Sequence, residues 1–402
     1  MNPDSSFDYD IAILGGGLVG SSLACALEGR GLRIALIEAS LPRQAPPGFD
    51  DRRLALAAAS VSALQALDVL PRLAEPPSPI RRLHISRAGD FGAVRLDAAD
   101  TGRDAFGAVL TARALGAALE SRLASLRDLQ MLRPHTVTGL LPEPEGWRLQ
   151  LQGDGSRSLR VRLVVAADGT RSFARQSLGI GMDEHDYQQT LVACSVRADR
   201  AADGTAYERF TDHGPVALLP MGRDYGAICT VARAEAAKVL ALEDAAYAGY
   251  LQQRFGWRAG RILQVGARSA WPLQRVVARS LRAPRALLMG NAAQTLHPIG
   301  AQGFNLGLRD ALCFAELLDS GSDPGAEDLL AAYEAARRED RQRTLEFSDG
   351  LARVTANPSL PMHLLRSLGL IALAHVPGLS APLVSGAMGF RGQVPRLARG
   401  PA

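Results

Sequence analysis

Hydrophobic residues along this chain fall into two patterns. Short, nearly unbroken apolar runs occupy Tyr9–Leu14, Arg33–Ile37, Leu163–Ala167 and Ala286–Met289. Runs of this length, closed by glycine and Asp/Asn turns, predict strands buried on both faces of a parallel sheet. The first passes into Gly15-Gly16-Gly17-Leu18-Val19-Gly20 and a small-residue helix, Ser21–Leu27, before the second strand ends at Glu38. Between 180 and 275 the apolar runs Leu191–Val196, Val216–Pro220 and Ala227–Val231 are separated by the turn signals His213-Gly214-Pro215 and Met221-Gly222-Arg223-Asp224. That spacing predicts an antiparallel sheet. After Asp310 the pattern is helical, and the charges of Tyr333–Asp340 are expected on a solvated helix face. Residues 361–390 are apolar but broken by Pro377 and Pro382. They suit core packing first, and otherwise a ligand channel or a membrane or partner contact.

The turns between these elements carry the candidate chemistry. Gly15, Gly17 and Gly20 have the spacing of a dinucleotide fingerprint. The first permits a tight turn, the second admits a pyrophosphate, and the third lets helix and strand pack closely. Glu38 stands where a carboxylate can accept from a ribose hydroxyl. The fingerprint alone does not separate NAD from FAD. Residues 290–311 form a second candidate site, in which a buried strand enters a small-residue turn at Gly290-Asn291. A Pro298-Ile299-Gly300-Ala301-Gln302-Gly303 loop follows, with a helix starting near Phe304. Unpaired N–H groups at a helix start favour negative charge, and Gly300 and Gly303 allow close approach. Paired with the N-terminal site, this anion cradle points to a flavin. Asp168-Gly169 ends a further strand, and Ser172 is placed to cap the helix after it.

Composition narrows the class. The 402 residues are 47% hydrophobic and 21% charged, an ordinary globular balance. The formal charge of +4 is spread over many arginines without a basic block, which gives no case for nucleic-acid binding. Cys25, Cys194, Cys229 and Cys313 are far apart and form no CxxC pair. They are expected to be reduced core thiols of a cytoplasmic protein, with no metal site. No basic segment precedes an apolar run at the N-terminus, so no signal peptide is expected. No run reaches the roughly 20 apolar residues of a membrane span.

The Gly290–Ala311 stretch resembles the second FAD motif of the group A flavoprotein aromatic hydroxylases, which share the para-hydroxybenzoate hydroxylase fold. Their turn usually reads Gly-Asp-Ala-Ala-His; here Asn291 and Gln294 replace the acid and the histidine, and Gly300-Ala301 inverts the common Ala-Gly. With Thr295-Leu296-His297-Pro298, these departures look most like the ubiquinone-biosynthesis branch, in particular the 2-polyprenyl-6-methoxyphenol hydroxylase subgroup. Asp50-x-Arg52, Asp168-Gly169, Tyr207–Pro215 (including Glu208 and His213), Phe255–Arg258 and Tyr333–Asp340 are similar to segments of the same branch. The resemblance runs from Tyr9 to Gly389.

It implies an α/β fold: a Rossmann-like FAD-binding domain with an inserted antiparallel-sheet substrate domain and a helical C-terminal region. The expected divisions are 1–75, 105–178 and 276–340 for the discontinuous FAD-binding domain, 76–104 and 179–275 for the β-rich substrate domain, and 341–402 for the helical region. The implied FAD-binding residues are Gly15, Gly17, Gly20, Glu38, Arg52, Asp168, Gly169, Gly290, Asn291, Gly303 and Asn305. Pro298, Gly300, Gln302, Gly303, Phe304 and Asn305 would surround the flavin. NADPH or NADH would reduce it, oxygen would add at its C4a atom, and hydroxyl would pass to an electron-rich ring carbon. No acid–base constellation stands out, and a structural turn role suits His213 better than catalysis. The implied substrates are a polyprenylated phenol and O2, with a ubiquinone-biosynthesis protein complex and a peripheral contact with the inner membrane as further partners. Two alternatives share the cofactor motifs: a sibling hydroxylase acting at another ring position, and a flavin oxidoreductase that does not hydroxylate.

Overall fold

The computed structural model of the chain describes residues 7–41, 52–297, 300, 302–356, 359–376, 378–379, 381–390 and 392–400. Pro298 and Asp50, singled out above, lie outside them.

The apolar runs form the centre of an eight-stranded sheet. Its main path runs Arg282–Ala283, Ala286–Leu288, Gly155–Ala166, Tyr9–Leu14, Ile34–Ile37, Leu129–Leu132. All neighbours are parallel except the first pair. Ile11, Ala12, Ile13 and Leu14 pair with Leu163, Val164, Val165 and Ala166, and all eight are buried. Burial on both faces explains the lack of hydrophobic alternation. Two antiparallel strands, His135–Glu143 and Gly146–Gly153, extend from the long Gly155–Ala166 strand. The Leu18–Ala26 helix packs against both the Ala112–Leu123 and the Gln302–Leu317 helices. This places the start of the last helix beside the first Gly-rich turn.

A second, nine-stranded sheet contains the middle of the chain. Met182–Ala198, Asp224–Ala232, Val216–Met221 and Thr205–Phe210 follow one another in antiparallel pairs. One pair departs from the expected pattern: Thr205–Phe210 lies parallel to Arg82–Arg87. The partner comes from more than a hundred residues upstream, so no local turn could announce it. The sheet has two distinct faces. Val192, Cys194, Val216, Leu218 and Cys229 pack with Tyr247, Leu251 and Phe255 of the Asp244–Phe255 helix. The alternate residues Ala217, Leu219 and Ile228 face a cavity. A three-stranded sheet of Arg53–Ala57, Gly107–Thr111 and Ser78–Ile80 completes the β-structure on the described residues.

The C-terminal helices are Glu327–Ala356, Leu360–His375 and Ala381–Ala387. The expectation of a solvated face over Tyr333–Asp340 is corrected: Tyr333 and Arg337 are buried at 0% and 1% exposure. Spacings of four and three residues set Tyr333, Arg337 and Asp340 on one face. That face packs on the Gln302–Leu317 helix, where Phe314 meets Tyr333 edge-on at 6.0 Å and Asp310 meets Arg337. Among the described residues no helix is long and apolar enough to cross a membrane.

Candidate active site

Three turns converge at the C-terminal ends of the parallel strands. Gly15 has φ +103°, and a side chain there would press its Cβ to 2.5 Å from the Ala167 carbonyl oxygen. The first turn therefore touches the strand end that leads into Asp168. At Gly20 a Cβ would lie 2.1 Å from the Gly15 oxygen, so that glycine lets the helix close on the turn. Gly17 differs: its Cβ would meet no atom within 4 Å. It caps the Leu18–Ala26 helix without a side-chain hydrogen bond, leaving the helix start open to a ligand. Glu38 turns back toward this site, accepting from Gly16 N–H at 2.7 Å and Ser40 N–H at 2.8 Å.

The second turn is closely braced. Asp168 Oδ2 accepts from Ala174 N–H at 3.0 Å, while its buried Oδ1 has no hydrogen-bond partner among the described residues. Ser172 caps the Phe173–Ser177 helix through Arg175 N–H, as its position predicts. The Arg175 guanidinium donates to the Thr170 and Ala292 carbonyls at 2.9 and 2.8 Å, locking Asp168-Gly169 to the third turn. In that third turn Gly290 is buried, at φ +56°, and packs on Val19; Asn291 is exposed.

An open Gly17 cradle, a buried carboxylate oxygen awaiting a donor, and an acid at the second strand end fit an elongated dinucleotide carrying hydroxyls and phosphates. Arg52 precedes the Arg53–Ala57 strand, and burial pushes its guanidinium pKa below the ordinary value. Its backbone carbonyl accepts from Ala112 N–H.

At the Gln302–Leu317 helix start, Gly300 (φ +70°), Gln302 and Asn305 line the cavity, while Phe304 packs on the main core. A Cβ at Gly303 would meet nothing within 4 Å. The Asn305 side chain is already engaged, accepting from Ala57 N–H and donating to the Ala55 carbonyl, both at 2.9 Å. It fastens the helix to the Arg53–Ala57 strand, so that at this helix start the backbone N–H groups, not this side chain, are the donors able to meet an anion.

The group that sets this geometry was missed in the sequence. Asp310 Oδ1 accepts from Arg337 Nε at 2.7 Å, and its Oδ2 accepts from the Gln294 amide at 2.7 Å and Gly290 N–H at 3.4 Å. Arg337 also pairs with Asp340, which Arg309 holds from the other side. Burial lowers the Arg337 pKa, but Asp310 and Asp340 outweigh it and raise the net value. One carboxylate thereby ties the third turn, the helix and the long C-terminal helix together. A signal was available: Arg309-Asp310 interrupts the apolar run of Leu306, Leu308, Ala311 and Leu312, and charges in such a run need buried partners.

A cavity of about 850 Å³ lies between the second sheet, the Arg53–Ala57 strand, the Gln302–Leu317 helix start and the C-terminal helices. Its walls are mainly apolar, with Leu83, Ile85, Phe106, Leu219 and Ile228 on the β-side and Met362 and Leu373 on the helical side. Glu208 enters this wall, and burial pushes its carboxyl pKa up to about 7. At one end Asp90, its side chain fully buried, holds the Leu360–His375 helix through His363 at 2.5 Å and Arg366 at 2.9 Å. Burial raises the Asp90 pKa, but the Arg366 and His363 hydrogen bonds and the charge of Arg87 carry it below the usual range. His213 lies exposed in its turn, away from these contacts. Cys25, Cys194, Cys229 and Cys313 are free, and burial pushes their pKa values up to about 12 for Cys25 and about 11 for the others. As protonated thiols they are poor nucleophiles.

Comparison with known proteins shows the family. Residues 8–348 match the FAD binding domain family. A protein named ubiquinone hydroxylase UbiL, from Rhodospirillum rubrum, is 34% identical, covering 97% of this chain and 92% of its own. The 3-demethoxyubiquinol 3-hydroxylase of Escherichia coli is 29% identical, with 95% and 98% covered. The p-nitrophenol 4-monooxygenase PnpA of Pseudomonas putida shares the fold with a TM-score of 0.79, at 19% identity over 96% of this chain and 98% of that one.

Proposed function

The chain belongs to the FAD binding domain family of flavin-dependent aromatic-ring monooxygenases, and from that premise we propose that it hydroxylates a polyprenylated phenol, 2-polyprenyl-6-methoxyphenol, in ubiquinone biosynthesis. The observation that carries this reading is the roughly 850 Å³ apolar cavity bordered by the Gly300–Asn305 helix start. It suits an aromatic ring with an alkyl tail better than a polar metabolite. The named relatives supply the pathway. A second reading, hydroxylation at another position of a related ring, is favoured by the 3-demethoxyubiquinol 3-hydroxylase relative. The balanced reaction takes the phenol, O2, NAD(P)H and a proton to the hydroxylated ring, NAD(P)+ and water.

FAD, when bound, supplies hydride acceptance from the nicotinamide and the activation of oxygen. In this proposal the Gly15–Gly20 turn and the Leu18–Ala26 helix start hold the pyrophosphate, with Arg52 as a further phosphate donor. Glu38 accepts from ribose. Asp168, Gly169, Gly290 and Asn291 contact the ribityl side. Backbone N–H groups of Gly300 and of Gln302 to Asn305 face the flavin ring and favour negative charge on it. The apolar sheet face positions the phenol and excludes water. In this reading the parallel sheet with its helices serves as the FAD-binding domain and the second sheet, which also takes in Gln294–Thr295, as the substrate domain. We place the protein in the cytoplasm, peripheral to the inner membrane, where it takes the prenyl tail from lipid. Leu364 and Leu368, each 65% exposed, and Ile371 form an outward apolar stripe on the Leu360–His375 helix, whose Met362, Leu370 and Leu373 line the cavity.

The test is turnover of the FAD-loaded protein on 2-polyprenyl-6-methoxyphenol and on 3-demethoxyubiquinol, with product mass and ring position determined. A gain of one oxygen on the first supports the reading. Selective turnover of the second transfers it to the sibling reaction. NAD(P)H oxidation by the first without oxygen insertion contradicts hydroxylation.

A further inference from the structure

One cavity-facing residue has no structural explanation. Pairing registers place Ile85, Glu208, Ala217 and Ile228 in one row across four neighbouring strands, and all four line the cavity. Glu208 is the only charged residue in that row. It makes no hydrogen bond or ion pair among the described residues, although protein encloses it; its remaining exposure opens into the cavity. Strand alternation requires a side chain to point inward here, but an apolar one would meet that need without loss. Between Ile85 and Ala217 in this row, the half-buried carboxylate faces the cavity with no charge or hydrogen-bond partner among the described residues.

The charged groups that share the cavity are committed elsewhere. Arg87 and Arg366 pair with Asp90, Arg309 with Asp340, and Arg343 with Glu339. His84, opposite Tyr207 on the neighbouring strand, meets that ring at a tilt, with centroids 5.6 Å apart, and is not among the residues lining the cavity. The Val216–Met221 strand has no titratable side chain, and Asp224–Ala232 turns only Ile228 and Thr230 to the cavity. Burial alone accounts for the upward pKa shift of Glu208, with no charged neighbour contributing. The carboxylate is thus placed to accept from a hydrogen-bond donor on a ligand that fills the cavity.

We propose that Glu208 is a catalytic residue of the ring hydroxylation: its carboxylate accepts the hydrogen bond of the substrate phenol hydroxyl and takes up its proton. This rests on the reading of the substrate as a phenol. The phenol O–H bond breaks as a carboxyl O–H bond forms, so one negative charge moves from Glu208 to the ring oxygen and the total is unchanged. The phenolate is the more electron-rich ring, and the proton returns to the oxygen once hydroxyl has been transferred. A carboxyl titrating near neutrality is closer in basicity to a phenol than an ordinary one. The same contact fixes which ring edge faces the Gly300–Asn305 end of the cavity.

The test compares the FAD-loaded wild type with Glu208→Gln and Glu208→Asp, using a short-chain 2-alkyl-6-methoxyphenol as probe between about pH 5 and about pH 9. The readouts are product formation, the ultraviolet difference spectrum of the bound phenol and flavin content. We expect wild-type kcat/KM to rise with pH through an apparent pKa near 7. E208Q keeps its flavin, loses on the order of 100- to 1,000-fold in kcat/KM, and loses both that rise and the phenolate signal. E208D restores the pH step at a lower rate. Wild-type turnover with E208Q equal to it in rate and pH profile overturns the role of Glu208 and leaves the hydroxylase reading standing. A flavin-loaded wild type that neither binds nor hydroxylates the phenol overturns that reading, and this proposal with it.

Discussion

At the scale of single residues, the two helix glycines separate folding from cofactor retention. Gly17 has open space where a Cβ would go, whereas a Cβ at Gly20 would strike the Gly15 carbonyl. Gly17→Val is therefore expected to fold with a Tm within a few degrees of wild type while retaining less than about a tenth of its FAD. Gly20→Val is expected to lose the fold. Thermal unfolding and flavin absorbance together check both. Asp310→Ala would leave Arg337 buried without its main counter-charge, and roughly 3–5 kcal/mol of stability should be lost, measurable by denaturant unfolding. Glu208 has a third signature. Its folded pKa of about 7 lies above the ordinary carboxylate value of 4.5, so the native state loses stability as pH rises between those values. Glu208→Gln removes that loss, and its Tm should exceed wild type by roughly 2–5 °C at about pH 8 but match it near pH 4. Of these residues, the glycines were legible in the sequence because turn chemistry is local. Asp310 and Glu208 were not, since their surroundings come from strands and helices far away in the chain.

Among the elements, the Leu360–His375 helix is held to the second sheet largely through Asp90. His363 and Arg366 reach it from the helix and Arg87 from the sheet, while Ser367 accepts from Phe91 N–H. Because the folded Asp90 pKa is depressed, its stabilisation is present above the ordinary carboxylate range and is lost only as pH falls through the lower folded value. Asp90→Asn should loosen the helix at neutral pH, seen as faster amide exchange over 360–375 with little change in the parallel sheet. The buried strands were readable as elements because their apolar runs are continuous. The face of the long helix was misassigned because charges spaced as Tyr333, Arg337 and Asp340 look solvated until a buried Asp310 is set opposite. The parallel pairing of Arg82–Arg87 with Thr205–Phe210 was hidden for the same reason of distance.

For the whole molecule, two sheets present two different surfaces. The parallel sheet gathers three turns that fit a dinucleotide, and the second sheet presents a largely apolar wall with a carboxylate, Glu208, that has no partner among the described residues. Asp310 ties the Gly290 turn and the Gln302–Leu317 helix to the long C-terminal helix. The strands and turns of the parallel sheet were largely visible from apolar runs and glycine spacing, whereas the cavity depends on how distant elements close around it. The measurement that tests the account most directly is single-turnover oxidation of the NAD(P)H-reduced, FAD-loaded protein with 2-polyprenyl-6-methoxyphenol under labelled oxygen, with the product analysed by mass. The account predicts one labelled oxygen on the ring per flavin oxidised. Reoxidation that releases hydrogen peroxide and returns the phenol unchanged, with the phenol demonstrably bound, would contradict it.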